Sequence, residues 1–354
     1  MENKKKARVI AYYLPQFHPI PENDKWWGNG FTEWTNVGRA RPLFYGHYQP
    51  RVPADLGYYD LRLSEVREAQ AEMARNAGIE GFCYYHYWFS GKQLLERPFN
   101  DVLNSKKPDF PFCLCWANHS WEEKTWVPNG KNKILIKQQY LGDDDHINHF
   151  NSLREAFQDK RYIKIDNKPL FVIYAPYDIS KHDIHLWNDL ALRHGFNGIY
   201  FVAVVFKEKD IDDLLMSGYN AVIYDLMFKR KSMVRLMSAM MHKYLKMPYF
   251  IDYRDYTKTL LCELPITKNV YPCILPNYDH TPRSGSRGSM FVNSTPENWS
   301  KLILFLLEKM SLKKYEENII FLKSWNEWGE GNYMEPDLKY GKRYLDVLRD
   351  CIVG

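Results

Sequence analysis

Short apolar runs alternate with stretches of helical periodicity from one end of this chain to the other. Residues Arg8 to Leu14 read as a buried strand, which Pro15 ends because proline cannot donate to a ladder. Ser64 to Ala77 then reads as a helix, with Ser64 as its N-cap and Gly78 as the residue that stops it. Further strands are predicted at Ile79–Tyr85, Phe112–Trp116, Leu170–Tyr174, Ile199–Val205, Ala221–Leu226, Tyr271–Leu275 and Ile319–Lys323. Between and after them, helices are predicted at Ile184–His194, Asp210–Met216, Ser232–Leu245, Pro296–Met310 and Tyr340–Ile352. Near-continuous apolar strands imply a parallel sheet covered on its outer face. Eight of them, each followed by helical material, close into a barrel more naturally than they spread into an open sheet. The expectation is an α/β fold, a single (β/α)8 TIM barrel over residues 1–354.

A minimal barrel needs about 250 residues, so 354 leave a surplus. It falls in four segments that follow strands: Pro15–Leu63, Trp88–Pro111, Ala117–Gly142 and Pro276–Thr295. All four belong to the C-terminal face, where barrel active sites assemble, and loops this long are uncommon without a function. Long βα loops at that face predict a walled cleft.

Composition sharpens the picture at one point. Aromatic residues make up 16% of the chain, with 26 Tyr and 11 Trp. Polar-tipped aromatics in such number suit a lined cleft on which sugar rings stack, although any single one can equally pack a loop. The net charge of +5 is mild, and the basic start Lys4-Lys5-Lys6 reads as a solvated terminus, so no nucleic-acid partner is expected. Val9 to Leu14 is too short for a secretory h-region or a spanning helix, so a cytoplasmic protein without membrane insertion is expected. The scattered cysteines Cys83, Cys113, Cys115, Cys262, Cys273 and Cys351 read as buried thiols.

The strand ends carry the candidate chemistry. After the eighth strand comes Ser324-Trp325-Asn326-Glu327-Trp328-Gly329-Glu330-Gly331. Glu327 and Glu330 share a side if the segment turns helically. At a barrel mouth, among aromatics, such a pair can be split into one ionised and one protonated carboxyl, which is the division of labour glycosidic cleavage needs. Glutamates in an exposed first helical turn would look the same in sequence. Other strand ends supply Tyr84-Tyr85-His86-Tyr87-Trp88, Trp116-Ala117-Asn118-His119-Ser120-Trp121, Tyr174, and Asn277-Tyr278-Asp279-His280-Thr281-Pro282-Arg283. The first loop adds Trp26-Trp27 and Phe31-Thr32-Glu33-Trp34. Aromatic platforms interleaved with Asn, Asp, His and Arg suit stacking on sugars and hydrogen bonds to their hydroxyls.

Competing chemistries find less support. Neither Gly-rich phosphate signature is present. His146 and His149 stand three apart on a predicted helix without a partner triad, and read as surface residues rather than a metal site. Asp143-Asp144-Asp145 and Asp210-Ile211-Asp212 sit where helices should begin, so capping and dipole complementarity account for them more simply than a metal-bound nucleotide sugar.

Four motifs carry a family resemblance. Ala11-Tyr12-Tyr13-Leu14-Pro15-Gln16-Phe17-His18, Gly30 to Val37, Asn277 to Arg283, and Trp325 to Glu330 continuing to Glu335-Pro336-Asp337 closely resemble the WbsX-type family of bacterial surface-polysaccharide loci. That family is usually labelled glycosyltransferase, yet it is similar to glycoside hydrolase family 99, the endo-α-mannosidases and endomannanases. The resemblance implies a (β/α)8 barrel with an E-W-x-E motif, matched by Glu327-Trp328-Gly329-Glu330. It further implies Glu327 as the base toward the sugar 2-hydroxyl and Glu330 as the general acid, with no metal or other cofactor. Family 99 generally carries His where this chain has Gly329, and its opening motif differs, so substrate does not carry over.

The expected substrate-binding set is Tyr13, Gln16, Trp27, Glu33, Trp34, Tyr85, His86, Trp88, Trp116, Asn118, His119, Tyr174, Tyr278, Asp279, Arg283, Trp325, Asn326 and Trp328. Three readings stand: a retaining endo-acting hydrolase or transglycosylase on bacterial polysaccharide, a nucleotide-sugar glycosyltransferase, and a carbohydrate-binding barrel without catalysis. The partner expected in each is an oligo- or polysaccharide; oligomeric state is not readable from the chain.

Overall fold

The computed structural model describes residues 5–123, 132–226, 232–267, 269–311 and 314–353. Lys4 of the basic start and residues 124–131 of the third long loop lie outside them. The eight expected strands are all present: β1 (Arg8–Tyr13), β2 (Gly81–Phe89), β3 (Phe112–Trp116), β4 (Lys168–Ile173), β5 (Tyr200–Val205), β6 (Ala221–Tyr224), β7 (Val270–Ile274) and β8 (Ile319–Leu322). They pair in parallel in chain order, and β1 closes the ring by pairing with both β2 and β8. Ile10 stands opposite Gly81 on one side and Phe321 on the other. The fold is a closed (β/α)8 barrel.

The strands are buried along nearly their whole length, and mostly apolar, because both of their faces are covered. The helix Pro296–Lys309 shows how the outer layer is built. Thr295 caps it by accepting from the Asn298 N–H, and Pro296 enters where its missing N–H costs nothing. Trp299, Leu302, Ile303 and Leu306, at i, i+3, i+4 and i+7, are wholly buried against the barrel. Burial of each such side chain contributes about 1.5–3 kcal/mol, so this stripe, more than helix propensity, fixes the helix.

Several boundaries differ from the sequence-based expectation. The helix after β1 begins with Ser64 inside it, and Leu63 takes the cap position without a side-chain bond. The long first loop is partly helical, at Pro21–Trp27 and Glu33–Arg39, and helices at Arg97–Ser105 and Tyr253–Glu263 were not anticipated. Periodicity was there to be read in the last, where Tyr253, Tyr256, Thr257 and Leu260 are buried at i, i+3, i+4 and i+7. The two Asp clusters do lie in first helical turns, but neither helix has a side-chain cap bond. His146 and His149 are buried rather than on the surface, on the inner face of the helix Asp143–Gln158. Cys262 is exposed, while the other five thiols are buried. Among the described residues no helix is long and apolar enough to cross a membrane.

Candidate active site

Alternation along the barrel strands decides which residues meet. Successive side chains point to opposite faces. On β2, Tyr85 and Tyr87 therefore face the cleft at the barrel mouth. His86 and Trp88 point outward to the helix Asp143–Gln158, where the His86 ring lies 2.8 Å from His149 Nε2 and Trp88 stacks on the His149 ring at 4.6 Å. Tyr13 also faces outward and donates to Gln70 at 2.6 Å. Trp116 is buried against the same histidine, with its ring 4.5 Å away.

The cleft has a volume of about 140 Å³ and is lined by Leu14, Tyr85, Tyr87, Ala117, His119, Trp121, Tyr174, Arg283, Lys323, Glu327 and Glu330. The expected catalytic pair is thus in it, with four of the expected substrate residues: Tyr85, His119, Tyr174 and Arg283.

The segment after β8 is shaped by its own hydrogen bonds. The Asn326 side chain accepts from Leu14 N at 2.7 Å and donates to Leu14 O at 3.0 Å, pinning the segment to the end of β1. Ser324 Oγ accepts from Glu327 N and donates to Asn332 O, each at 2.9 Å. Trp328 to Glu330 then make one 3-10 turn, in which side chains three apart eclipse, so Glu327 and Glu330 face the same space. Gly331 ends the turn at φ 63, with Asp279 N only 2.8 Å from where a Cβ would stand. Glycine is required there both by conformation and by space.

Arg283 organises the charges. Its Nη1 donates to Glu330 Oε1 at 2.5 Å, its Nε donates to Glu33 Oε1 at 3.0 Å, and its Nη2 lies 3.7 Å from Glu327 Oε2. One buried guanidinium thus faces three carboxyls, and like charges this close disfavour full ionisation. Burial and the charge of Glu330 push the Glu327 carboxyl up to about 8, in spite of Arg283 and Lys323. Burial pushes Glu330 the same way, but Arg283, His280 and Lys323 outweigh it and hold that carboxyl below its ordinary value. The two carboxyls are thus shifted in opposite directions, Glu327 upward and Glu330 downward. Lys323 also donates to Asp225 at 3.0 Å; burial opposes its charge, and Asp225 overcomes that and keeps the ammonium protonated.

The remaining expected residues build the wall rather than line it. Asp279 is wholly buried: its Oδ2 meets His47 Nε2 at 2.9 Å and accepts from Gln49 at 2.8 Å, and its Oδ1 accepts from the Thr281 hydroxyl at 2.7 Å. It ties the first loop to the seventh, and its own N–H donates to Glu330 O at 2.7 Å. Asn118 is spent on the backbone of Ala175, and Trp34 donates to Tyr59 O. Trp328 stacks on Tyr333 at 3.8 Å and donates to Glu335, while Trp325 is buried against Phe82. Trp27 packs on Phe31 and Gln16 is buried beside Glu33, neither among the lining residues. Tyr278 packs on Phe291 close enough to Glu330 to feel its charge.

Lys323, Asp225, Tyr87, Trp121 and His280 were not in the expected set. A signal existed for the first two, which are charged residues ending apolar barrel strands, the position where this fold keeps its chemistry. Among the described residues no group of three or more His, Cys, Asp or Glu is placed to hold a metal.

Comparison with known proteins agrees with this architecture. The family model described as glycosyltransferase WbsX matches residues 9–348. Two curated relatives named WxcX, from two strains of Xanthomonas campestris pv. campestris, are 33% identical over 354 residues, covering 98% of this chain and 50% of theirs. The chain spans about half the length of the curated relatives it matches. Among solved structures, a glycoside hydrolase-like protein superposes with a TM-score of 0.65 at 13% identity, covering 99% of this chain and 95% of the other. The family 99 endo-alpha-mannosidase from Bacteroides thetaiotaomicron superposes at 0.56 with 14% identity, covering 97% and 96%. At those identities the likeness is one of fold.

Proposed function

The chain belongs to the WbsX glycosyltransferase family, and from that premise we propose that it is a retaining, endo-acting glycoside hydrolase or transglycosylase on bacterial surface polysaccharide. The observation that carries this is the pair Glu327 and Glu330, turned into one cleft around Arg283, with burial raising the first carboxyl and Arg283 lowering the second. Cleavage of a glycosidic bond needs a proton for the leaving oxygen and a negative charge on the other side of the reacting carbon. Tyr85, Tyr87, Trp121 and Tyr174 line the cleft with aromatic surface against which a sugar would rest, and His119 adds a polar edge.

We assign the resting proton to Glu327. The family 99 resemblance implies the opposite working roles, with Glu327 the base and Glu330 the acid. Aryl glycosides with an activated leaving group separate the two, because they need no acid for departure. The Glu→Gln variant at the acid position keeps turnover on such a substrate, and the variant at the other position does not.

The test of the reaction is mass spectrometry of surface-polysaccharide oligosaccharides incubated with the protein, beside Glu330→Gln. Shorter products with the wild type alone support the reading; unchanged cleavage by both Glu327→Gln and Glu330→Gln would end it.

The transferase reading draws on the family's description and on Arg283 and Lys323, two cations that line the cleft. Both are already matched, by Glu330 and Asp225, so a donor diphosphate would have to displace those partners. Calorimetric binding of a nucleoside diphosphate that weakens in Lys323→Met would favour this second reading. The scattered, unpaired thiols favour a cytoplasmic placement for either enzyme.

A further inference from the structure

The helix Ser232–Leu245 shows four large apolar side chains to solvent. Met237, Met240, Tyr244 and Leu245 are each more than half exposed. Met237, Met240 and Tyr244 stand at i, i+3 and i+7, so they form one stripe, with Leu245 at its edge. In a soluble barrel that spacing belongs on the buried side; here it faces outward.

Along the sequence, the charges of this segment have one sign as far as Asp252. From Ser232 to Ile251 the sequence carries Arg235, Lys243 and Lys246 and no acidic residue. Lys243 and Lys246 are exposed beside the stripe. Three further cations, Lys229, Arg230 and Lys231, precede the helix in the sequence. The +5 net charge of the whole chain averages this concentration away.

The helix is also tied to the cleft end of the barrel. It follows the C-terminal end of β6, and His242 at its far end stacks on Tyr249 at 4.8 Å. Tyr249–Asp252 then pairs in parallel with Ser289–Val292, in the loop after β7 that also carries Arg283. A surface docked through this helix would therefore lie at the end where Glu327 and Glu330 open.

We propose that the exposed face of Ser232–Leu245, with Lys243 and Lys246, docks on an anionic lipid bilayer surface, lying in the interface without crossing it. An apolar stripe flanked by cations is the pattern of an interfacial helix, in which buried apolar area and attraction to anionic headgroups add. Charge complementarity selects the occupant: a neutral apolar partner would leave the cations unmatched. The inference is independent of the reaction at the cleft.

The test is flotation of the purified protein with vesicles of phosphatidylcholine alone and of phosphatidylcholine with 30% phosphatidylglycerol. The expected result is binding to the anionic vesicles that weakens with salt, and little binding to the neutral ones. Met237→Ser with Met240→Ser and Tyr244→Ser should lower the anionic binding at least tenfold. Lys243→Gln with Lys246→Gln should lower it about fivefold for each cation removed. Unchanged circular dichroism and unfolding midpoints in both variants show that the fold is intact, since the altered side chains are exposed. No binding of the wild type to anionic vesicles, or equal binding by the triple variant, overturns the proposal. Capture of an acidic protein by the wild type in place of vesicle binding would overturn it in favour of a protein partner.

Discussion

The carboxylate of Glu33 fills the space that a side chain on residue 329 would need. Its Oε1 lies 1.6 Å from where a Cβ on Gly329 would stand, and Arg283 Nε lies 3.0 Å from the same point. The glycine of the E-W-x-E segment is thus the counterpart of a buried glutamate more than 290 positions earlier. This chain thus has a third carboxylate that grips the arginine between Glu327 and Glu330.

Gly329→Ala should therefore displace Glu33 and, with it, the Arg283 bond to Glu330. We expect kcat/KM to fall about 100-fold, because misplacement of a catalytic group by an ångström has that scale. Overpacking should cost about 1–3 kcal/mol of stability in urea unfolding. Wild-type kinetics in Gly329→Ala would show that Glu33 can move aside without consequence.

Arg283→Met leaves Glu33 buried with its cation gone. Breaking one side of a buried pair costs about 3–5 kcal/mol, so this variant should be among the least stable single substitutions in the protein. Combining it with Glu33→Gln should recover a large part of the loss, since the stranded charge is then removed as well. A double-mutant cycle by denaturant unfolding measures this, and additive losses would show the two residues to be uncoupled.

Glu327→Gln and Glu330→Gln should each lower kcat by about 100- to 10,000-fold on a natural polysaccharide, with KM little changed. The double variant should be scarcely worse than the more damaged single one, because the two carboxyls act as a unit. Steady-state kinetics on one defined oligosaccharide, with melting curves as a fold control, decides this.

Stability should fall as pH rises from about 5 to 8. In the unfolded chain Glu327 ionises at the ordinary carboxylate pKa of about 4.3. In the folded protein burial and Glu330 raise that group to about 8, so across this window the folded state keeps a proton that the unfolded state has lost. The stability linked to that proton is complete below the lower value and lost through the upper one, a change on the order of 5 kcal/mol. Glu335, raised to about 7 by burial against the donors Trp328, Gln70 and Tyr59, acts in the same direction. Asp279, held near 2 by His47 and Arg51 despite its burial, acts oppositely and only below about pH 4. Glu327→Gln should flatten the decline between pH 5 and 8; a slope equal to that of the wild type would place the proton elsewhere.

Much of the fold was legible because it rests on local patterns. All eight barrel strands stand within a few residues of the apolar runs that announce them, from Arg8–Tyr13 to Ile319–Leu322. Glu327 and Glu330 were also legible, since a strand end followed by two carboxylates three apart needs only the barrel's directionality to become a site. The aromatic wall was not. Tyr85 and His86 are neighbours in sequence, and the sequence alone does not say which of the two faces the lumen; the closed register puts Tyr85 inside and His86 against His149.

The sequence by itself therefore determined the strands, their parallel order and the carboxylate pair, because hydrophobic periodicity and strand polarity are properties of contiguous residues. Tertiary structure alone decided that Glu33 and Arg283 meet opposite Gly329, that Asp279 is buried against His47 and Gln49, and that Lys323 pairs with Asp225. Those contacts join residues up to 250 positions apart, and only closure of the barrel sets the distances between them.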